Sequence, residues 1–248
     1  MTIRGLFWFW YATGLVLMLT VGVPGWLSFS NGLFLLFYAV YALDIERGIG
    51  ERRAVRLGRA AIIGLVTFLI EYIGVTTGWP FGEYAYTSVL GFGIGGVPLA
   101  IACAWVGVML NIILLFRHVS RWRRALLVGC WTIVFDLVLD PVAYARGFWL
   151  WDHDGGFYGV PLANFISWVI IAGMCSLAFP VGTSSLLVRR RAARLLQAML
   201  MMFGLLGMKE GLVIPLVIAI IGAIVAEGML RYDDSESKRT VQPLVRDL

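Results

Sequence analysis

Long runs of apolar residues alternate with short clusters of charged residues along most of the chain. About 20 apolar residues make a helix long enough to cross a hydrocarbon core of about 30 Å. The pattern therefore predicts membrane-spanning helices over residues 6–23, 26–43, 60–77, 97–116, 125–144, 162–188 and 211–230. A further run over residues 195–207 would form only about 20 Å of helix, which leaves seven or eight crossings open.

Runs of this length are typical of membrane helices and too long for the strands of a membrane barrel. We expect an all-α fold, a polytopic transmembrane helical bundle of one domain over residues 1–230 with a polar tail over residues 231–248. The first run lacks a convincing cleavage site and is followed at once by the second run. We therefore expect it to be retained as a span.

Composition supports the same class, since 60% of the residues are hydrophobic, 14% are charged and the mean hydropathy is +0.86. The formal net charge of +5 does not predict a nucleic-acid partner, because the basic residues lie in short clusters between apolar runs. The cysteines are odd in number and each lies in an apolar run, so neither a disulfide framework nor a thiolate metal site is predicted. They are Cys103, Cys130 and Cys175.

Basic residues concentrate in every second loop, within residues 44–59, 117–124 and 189–194. Loops rich in Lys and Arg stay on the cytoplasmic side. We therefore expect a cytoplasmic amino terminus in the cytoplasmic (inner) membrane. Two aromatic loops, residues 78–96 and 145–161, should then lie on the opposite side.

A short motif occurs twice in the middle of the chain. Gly-Val-Pro-Leu-Ala at residues 96–100, followed by Trp105, recurs at residues 159–163, followed by Trp168. Each copy follows a span that carries an acidic residue and then an aromatic loop. We expect a parallel repeat of two helical hairpins with a ligand site near their interface, and the repeat halves would be residues 60–116 and 125–188.

Three carboxylates interrupt predicted spans: Glu71 in the third, and Asp136 and Asp140 four residues apart on one face of the fifth. An ionisable residue within a span is costly and suggests function. A carboxyl group in apolar surroundings, or beside a second carboxylate, can stay protonated and serve as an acid. The structural alternatives are that these residues form hydrogen bonds with Thr76, Thr77 or each other, and that Asp140-Pro141 marks a helix end near the head groups.

The outer loops are rich in aromatic and acidic residues, and they suggest two lids over a pocket or an interfacial aromatic belt. Consecutive residues rarely converge on one ion, so Asp152-His153-Asp154 is interpreted as a solvated loop, and no metal site is expected. The Gly-rich run at residues 91–96 matches a dinucleotide motif, but no strand precedes it. No P-loop and only two histidines are present, so we expect no cofactor.

A set of motifs occurs together within residues 71–168. Its members are Glu71, the run Gly78, Pro80, Phe81, Gly82, Tyr84 and Tyr86, residues 96–99, Asp136 with Asp140 and Pro141, Trp149 with Trp151, residues 158–161, Asn164 with Phe165, and Trp168. In combination these motifs resemble the membrane carotenoid 1,2-hydratase family, whose members are often labelled only as carotenoid biosynthesis proteins. Ser167 stands where the family has a glycine.

The resemblance implies an enzyme that adds water across the terminal C-1,2 double bond of an acyclic (ψ) carotenoid end group. Substrates in the family include lycopene, γ-carotene and the C50 precursor of bacterioruberin. Asp136 or Glu71 would protonate C-2, and Asp140 would orient the water and take its proton. Asn164 would hold that water or pack helices together. The expected substrate-binding residues are Trp79, Glu83, Tyr84, Tyr86, Trp149, Trp151, Asn164 and Trp168.

Two other functions remain open from the residues. A carotenoid end-group cyclase would use the same protonation but let an internal double bond attack the cation. A proton-coupled transporter or carotenoid-binding protein would use the carboxylates as relay groups. The expected partners are the carotenoid, water and the lipid bilayer, with other carotenoid-pathway enzymes as further candidates and no nucleic acid.

Overall fold

The computed structural model describes residues 2–152 and 155–246, with side chains as far as residue 232. Within those ranges the chain forms eight helices, so the predicted all-α bundle is confirmed. Six of them contain a stretch long and apolar enough to cross a membrane, and α1 and α6 are shorter. The helices are α1 (Ile3–Leu19), α2 (Phe29–Arg47), α3 (Arg53–Thr77), α4 (Leu99–Phe116), α5 (Arg121–Ala145), α6 (Leu162–Ser176), α7 (Leu186–Lys209) and α8 (Val213–Arg246).

Helix α4 is the centre of the bundle. It carries no charged residue, it is buried along most of its length, and it packs against α2, α3, α5 and α7. A helix that is apolar on all sides is expected to be buried. A Cβ atom at Gly107 would lie 2.4 Å from the Tyr38 ring, so this glycine allows α2 and α4 to approach closely. Other helices expose apolar side chains such as Ile62 and Ile170 to the lipid.

The single span predicted over residues 162–188 is wrong, because α6 ends at Ser176 and α7 begins at Leu186. Pro180 lies between them and has no backbone N–H to continue a helix. The buried guanidinium of Arg124 donates to the carbonyls of Ser176, Phe179 and Pro180. These bonds satisfy the carbonyl groups at the end of α6, so the chain turns there without a longer helix.

The run over residues 195–207 lies within α7, whose 24 residues make about 36 Å of helix. The basic cluster within residues 189–194 forms part of the first turns of α7. Lys209 at the other end donates to the carbonyl of Met18, 2.7 Å away, and Arg146 pairs with Glu210 at 2.8 Å. The ends of α1, α5 and α7 therefore lie together, as eight helices of alternating direction require.

Short strands cap this end of the bundle. Strand β1 (Tyr84–Tyr86) lies in the first aromatic loop, β2 (Gly93–Ile94) pairs with β3 (Val97–Pro98), and β4 (Trp149–Trp151) lies in the second loop. Strands β1 and β4 pair antiparallel, with Tyr84 opposite Trp151 and Tyr86 opposite Trp149. The two aromatic loops thus form one cap.

Two contacts join corresponding parts of the proposed repeat. One is the pairing of β1 with β4, and the other is the stacking of Trp105 on Trp168, with ring centroids 4.1 Å apart. Corresponding residues meet in this way when two hairpins are related by a two-fold axis between them. The geometry agrees with parallel hairpins α3–α4 and α5–α6, with the second ending at Ser176 rather than at residue 188.

Candidate active site

A cavity of about 110 Å³ lies beneath the β1–β4 cap. Helices α1, α2, α4, α5 and α7 contribute apolar and aromatic side chains to its wall. Glu71 and Asp140 are the carboxylates that line it among the described residues, and Asn164 lines it as well. The cavity therefore combines an apolar interior, which can hold an apolar ligand, with two acidic groups, which can give and accept protons.

Glu71 lies less than two turns before the end of α3, and its side chain is only 4% exposed. Three donors surround its carboxylate. The Tyr84 and Tyr86 hydroxyls donate to Oε2 at 2.5 and 2.8 Å, and Trp105 Nε1 donates to Oε1 at 2.8 Å. The two tyrosines reach the same oxygen because alternate residues of a strand share a face.

A close approach of the cap to α3 makes this arrangement possible. A Cβ atom at Gly74 would lie 2.7 Å from the Phe81 ring and 2.8 Å from the Tyr84 hydroxyl. Any other residue at position 74 would therefore force the Phe81 ring and the Tyr84 hydroxyl to move. Burial, with a smaller contribution from Glu71, raises the pKa of both tyrosines well above the usual value, so both hydroxyls stay protonated and can donate.

Asp136 and Asp140 form a second acidic group, one turn apart on α5. The Asn164 amide nitrogen donates to Asp136 Oδ2 at 2.9 Å and also to Asp140 Oδ2, and Trp149 Nε1 donates to Asp140 Oδ1 at 2.6 Å. Asp140 lines the cavity, whereas Asp136 lies behind it and is fully buried. Asp136 Oδ1 has no hydrogen-bond partner among the described residues.

Two of the structural alternatives for these carboxylates are wrong, namely the bonds to Thr76 or Thr77 and the helix end at Asp140. The Thr76 and Thr77 hydroxyls bond to carbonyls of their own helix, and Glu71 receives its bonds from the cap and α4. Pro141 lies inside α5, which continues to Ala145, so Asp140 does not mark a helix end. Its side chain is 2% exposed, so protein covers it and it does not contact lipid head groups.

Most of the substrate-binding residues predicted from sequence lie together around the cavity. Trp79 does not, because 71% of its side chain is exposed, and Glu83 is exposed on the outside of the cap. His153 and Asp154 lie outside the described residues. The residues that line the cavity as expected are Tyr84, Tyr86, Trp149, Trp151, Asn164 and Trp168.

The sequence does not predict a role for α1, α2 or α7 in this site. All three contribute to the cavity wall, including Tyr11, Gly14, Phe34 and Phe203. The signal available in the sequence was weak, because Trp10, Gly14 and Met18 recur at a helical spacing that also fits ordinary packing. Apolar residues on a membrane helix look alike whether they face lipid, protein or a cavity.

Comparison with known proteins identifies the family. The family model described as carotenoid biosynthesis protein matches residues 29–227. The chain belongs to this family. The resemblance noted over residues 71–168 is thus confirmed, and membership extends from α2 to α8, whereas α1 lies outside the match.

A curated member named bisanhydrobacterioruberin hydratase, from Haloarcula japonica, is 35% identical over 178 residues. That match covers 68% of this chain and 60% of the relative, so the chain spans less than two thirds of the relative's length. The comparison with solved structures found no match. Beyond family membership, the function of this chain is therefore inferred from the geometry of its site.

Proposed function

We propose that this chain is a hydratase that adds water across the terminal C-1,2 double bond of an acyclic carotenoid end group, giving a tertiary alcohol. The supporting observation is that Glu71 and Asp140 both reach a cavity whose other walls are mainly apolar and aromatic. Hydration is redox-neutral, so an acid, a base and a pocket for a hydrocarbon suffice for it. The hydratase name of the Haloarcula relative supports the same reaction class.

Asp140 is the proposed acid, assisted by Asp136. The two carboxyl groups bond to one amide nitrogen of Asn164, and carboxyl groups held this close share a proton more readily than both ionise. Because Asp140 lines the cavity, it can pass that proton to C-2 of the substrate. This division of roles differs from the expectation from sequence, in which Asp136 or Glu71 was the acid and Asp140 the base.

Protonation of C-2 leaves a tertiary cation at C-1, and the aromatic wall stabilises it. Trp149 and Trp151 both line the cavity, and Trp149 is oriented by its bond to Asp140. A cation over a desolvated indole face gains about 2 kcal/mol. The negative charge of Glu71, compensated by its three donors in the resting site, adds further stabilisation when the cation forms.

Glu71 is the proposed base. Water attacks C-1, one of its protons passes to Glu71, and the remaining O–H becomes the hydroxyl of the product. One proton has then left Asp140 and one has arrived on Glu71, so a net transfer between the two groups through water restores the resting enzyme. The Tyr84 and Tyr86 hydroxyls, which donate to Glu71 Oε2, can also form hydrogen bonds with the water and hold it during its attack.

The topology supports a site on the non-cytoplasmic side of the cytoplasmic membrane. The basic residues of the 117–124 and 189–194 clusters lie at the opposite end of the helices from the β1–β4 cap. By the positive-inside rule, that basic end and the amino terminus are cytoplasmic. Lycopene, γ-carotene and the C50 precursor of bacterioruberin all carry the required end group and are candidate substrates.

Production of the protein in a host that accumulates lycopene tests the proposal. We expect a pigment heavier than lycopene by one water, identified by mass spectrometry, and no such pigment from the Asp140→Asn variant at equal membrane abundance. A new isomer of unchanged mass would instead identify a cyclase. Unchanged pigment from a host whose membranes contain the folded protein would favour the binding or transport class.

A further inference from the structure

We infer that α1 forms the wall along which the polyene chain of the substrate lies, and that Gly14 keeps this space open. The inference rests on the proposed function, since the polyene is the part of the carotenoid that does not react. It assigns a substrate-binding role to a helix outside the family match, which begins at residue 29. Such a wall would determine which carotenoids this particular chain accepts.

One face of α1 lines the cavity through Trp10, Tyr11, Gly14 and Met18. Gly14 lies three or four residues from each of the others, so the four side chains share one face along about 12 Å of helix. The facing residues come from α2 and α7 and are also mostly apolar: Phe34, Leu35, Met202, Phe203 and Leu206. The Tyr11 hydroxyl donates to the Ala198 carbonyl at 2.8 Å, which satisfies that polar group at the wall.

The acidic groups belong to α3 and α5, so the reacting end must lie beside those helices and the rest of the molecule must extend away from them. The cavity-lining stretch of α1 is about 12 Å long, which is much shorter than an extended C40 polyene. The part that does not fit has to continue into the lipid. Helix α1 is a single layer between the cavity and the lipid. Its opposite face carries exposed apolar residues such as Phe9 and Val16, which are 60% and 61% exposed.

Gly14 is a position on the cavity side of α1 where an added side chain has space. A Cβ atom built there would meet Met18 Cε at 3.9 Å as its nearest neighbour outside the local helix backbone. A larger side chain can therefore grow into the cavity without moving the helix. Replacing a glycine inside a helix also favours helix formation, so such variants should fold.

The test uses Gly14→Phe and, as a matched control, Val16→Phe. The control adds an aromatic ring to the lipid-facing side of the same helix. Each protein is purified in lipid and supplied either with lycopene or with a truncated acyclic terpenoid that keeps the terminal double bond but lacks the polyene. We expect Gly14→Phe to hydrate lycopene at least about tenfold more slowly than the wild type, which is a typical effect of misfit in an apolar pocket. Its rate on the short compound should equal that of the wild type. Val16→Phe should match the wild type on both.

Equal lycopene rates in Gly14→Phe and the wild type would overturn the inference and leave the proposed function intact. Equal losses on both compounds would also overturn it, because Gly14 would then act on the reacting end and not on the polyene. If the wild type hydrates neither compound, the proposed function fails, and lycopene retained by the purified proteins decides the inference. Lower retention by Gly14→Phe than by Val16→Phe supports it, and equal retention rejects it.

Discussion

Replacing Asp140 by Asn should lower the rate of water addition by about 10² to 10⁴-fold, the usual contribution of a general acid. The substitution removes the proton that we assign to the reaction but keeps the size and shape of the side chain. The Asn oxygen can still accept the Trp149 indole N–H, and the Asn164 amide can rotate to avoid facing a second NH₂ group. The measurement is the hydration rate of purified protein in lipid, normalised to folded protein.

Two matched variants sharpen that result. Asp136→Asn removes the carboxyl group that lies behind the cavity, so we expect a smaller loss than for Asp140→Asn. Asp152→Asn removes an exposed charge from the outer loop and should leave the rate unchanged. A complete loss in Asp136→Asn together with a nearly normal rate in Asp140→Asn would contradict our assignment and restore Asp136 as the acid.

Replacing Glu71 by Gln should lower the rate by about 10²-fold or more, because the water then lacks a base. The fold should survive. A Gln oxygen can accept the Trp105 indole N–H, and the tyrosine hydroxyls can turn to accept from the new NH₂ group. We expect the variant to retain lycopene in its purified form, since the apolar wall is unchanged, and to fail in the catalytic step measured by single-turnover kinetics.

The tyrosine partners of Glu71 provide the control. Tyr84→Phe and Tyr86→Phe each remove one donor to Glu71 and keep the carboxylate. Each should therefore cost less activity than Glu71→Gln. A Glu71→Gln variant with wild-type single-turnover rates would exclude Glu71 as the base, whatever its effect on stability.

Hydropathy alone was enough to predict most of the helices, because an apolar run of sufficient length has few other stable structures in a membrane. It failed between residues 162 and 188 for a reason that a linear pattern cannot show. The break there depends on Pro180 and on Arg124, whose guanidinium reaches from α5 to the end of α6. The three-residue strands β1 and β4 were also missed, since each is stabilised by pairing with the other across the cap.

The acidic residues of the site were predictable because a carboxylate inside a span is too costly to be incidental. The sequence did not predict which of these residues lines the cavity and which lies behind it. Asp136 and Asp140 share a helix face, and only the packing around α5 distinguishes the one that lines the cavity from the one behind it. Trp79 and Trp149 both lie in aromatic loops, yet the first is exposed and the second bonds to Asp140.

If the protein adds water to a carotenoid end group, the oxygen of the product must come from the solvent, so isotopically labelled water reveals the reaction. Purified protein in lipid vesicles is incubated with lycopene in H₂¹⁸O, and the product is analysed by mass spectrometry. We expect a tertiary alcohol that carries ¹⁸O, formed by the wild type and not by Asp140→Asn. An oxygen-free isomer, or an alcohol whose oxygen does not come from the labelled water, would contradict the proposed reaction.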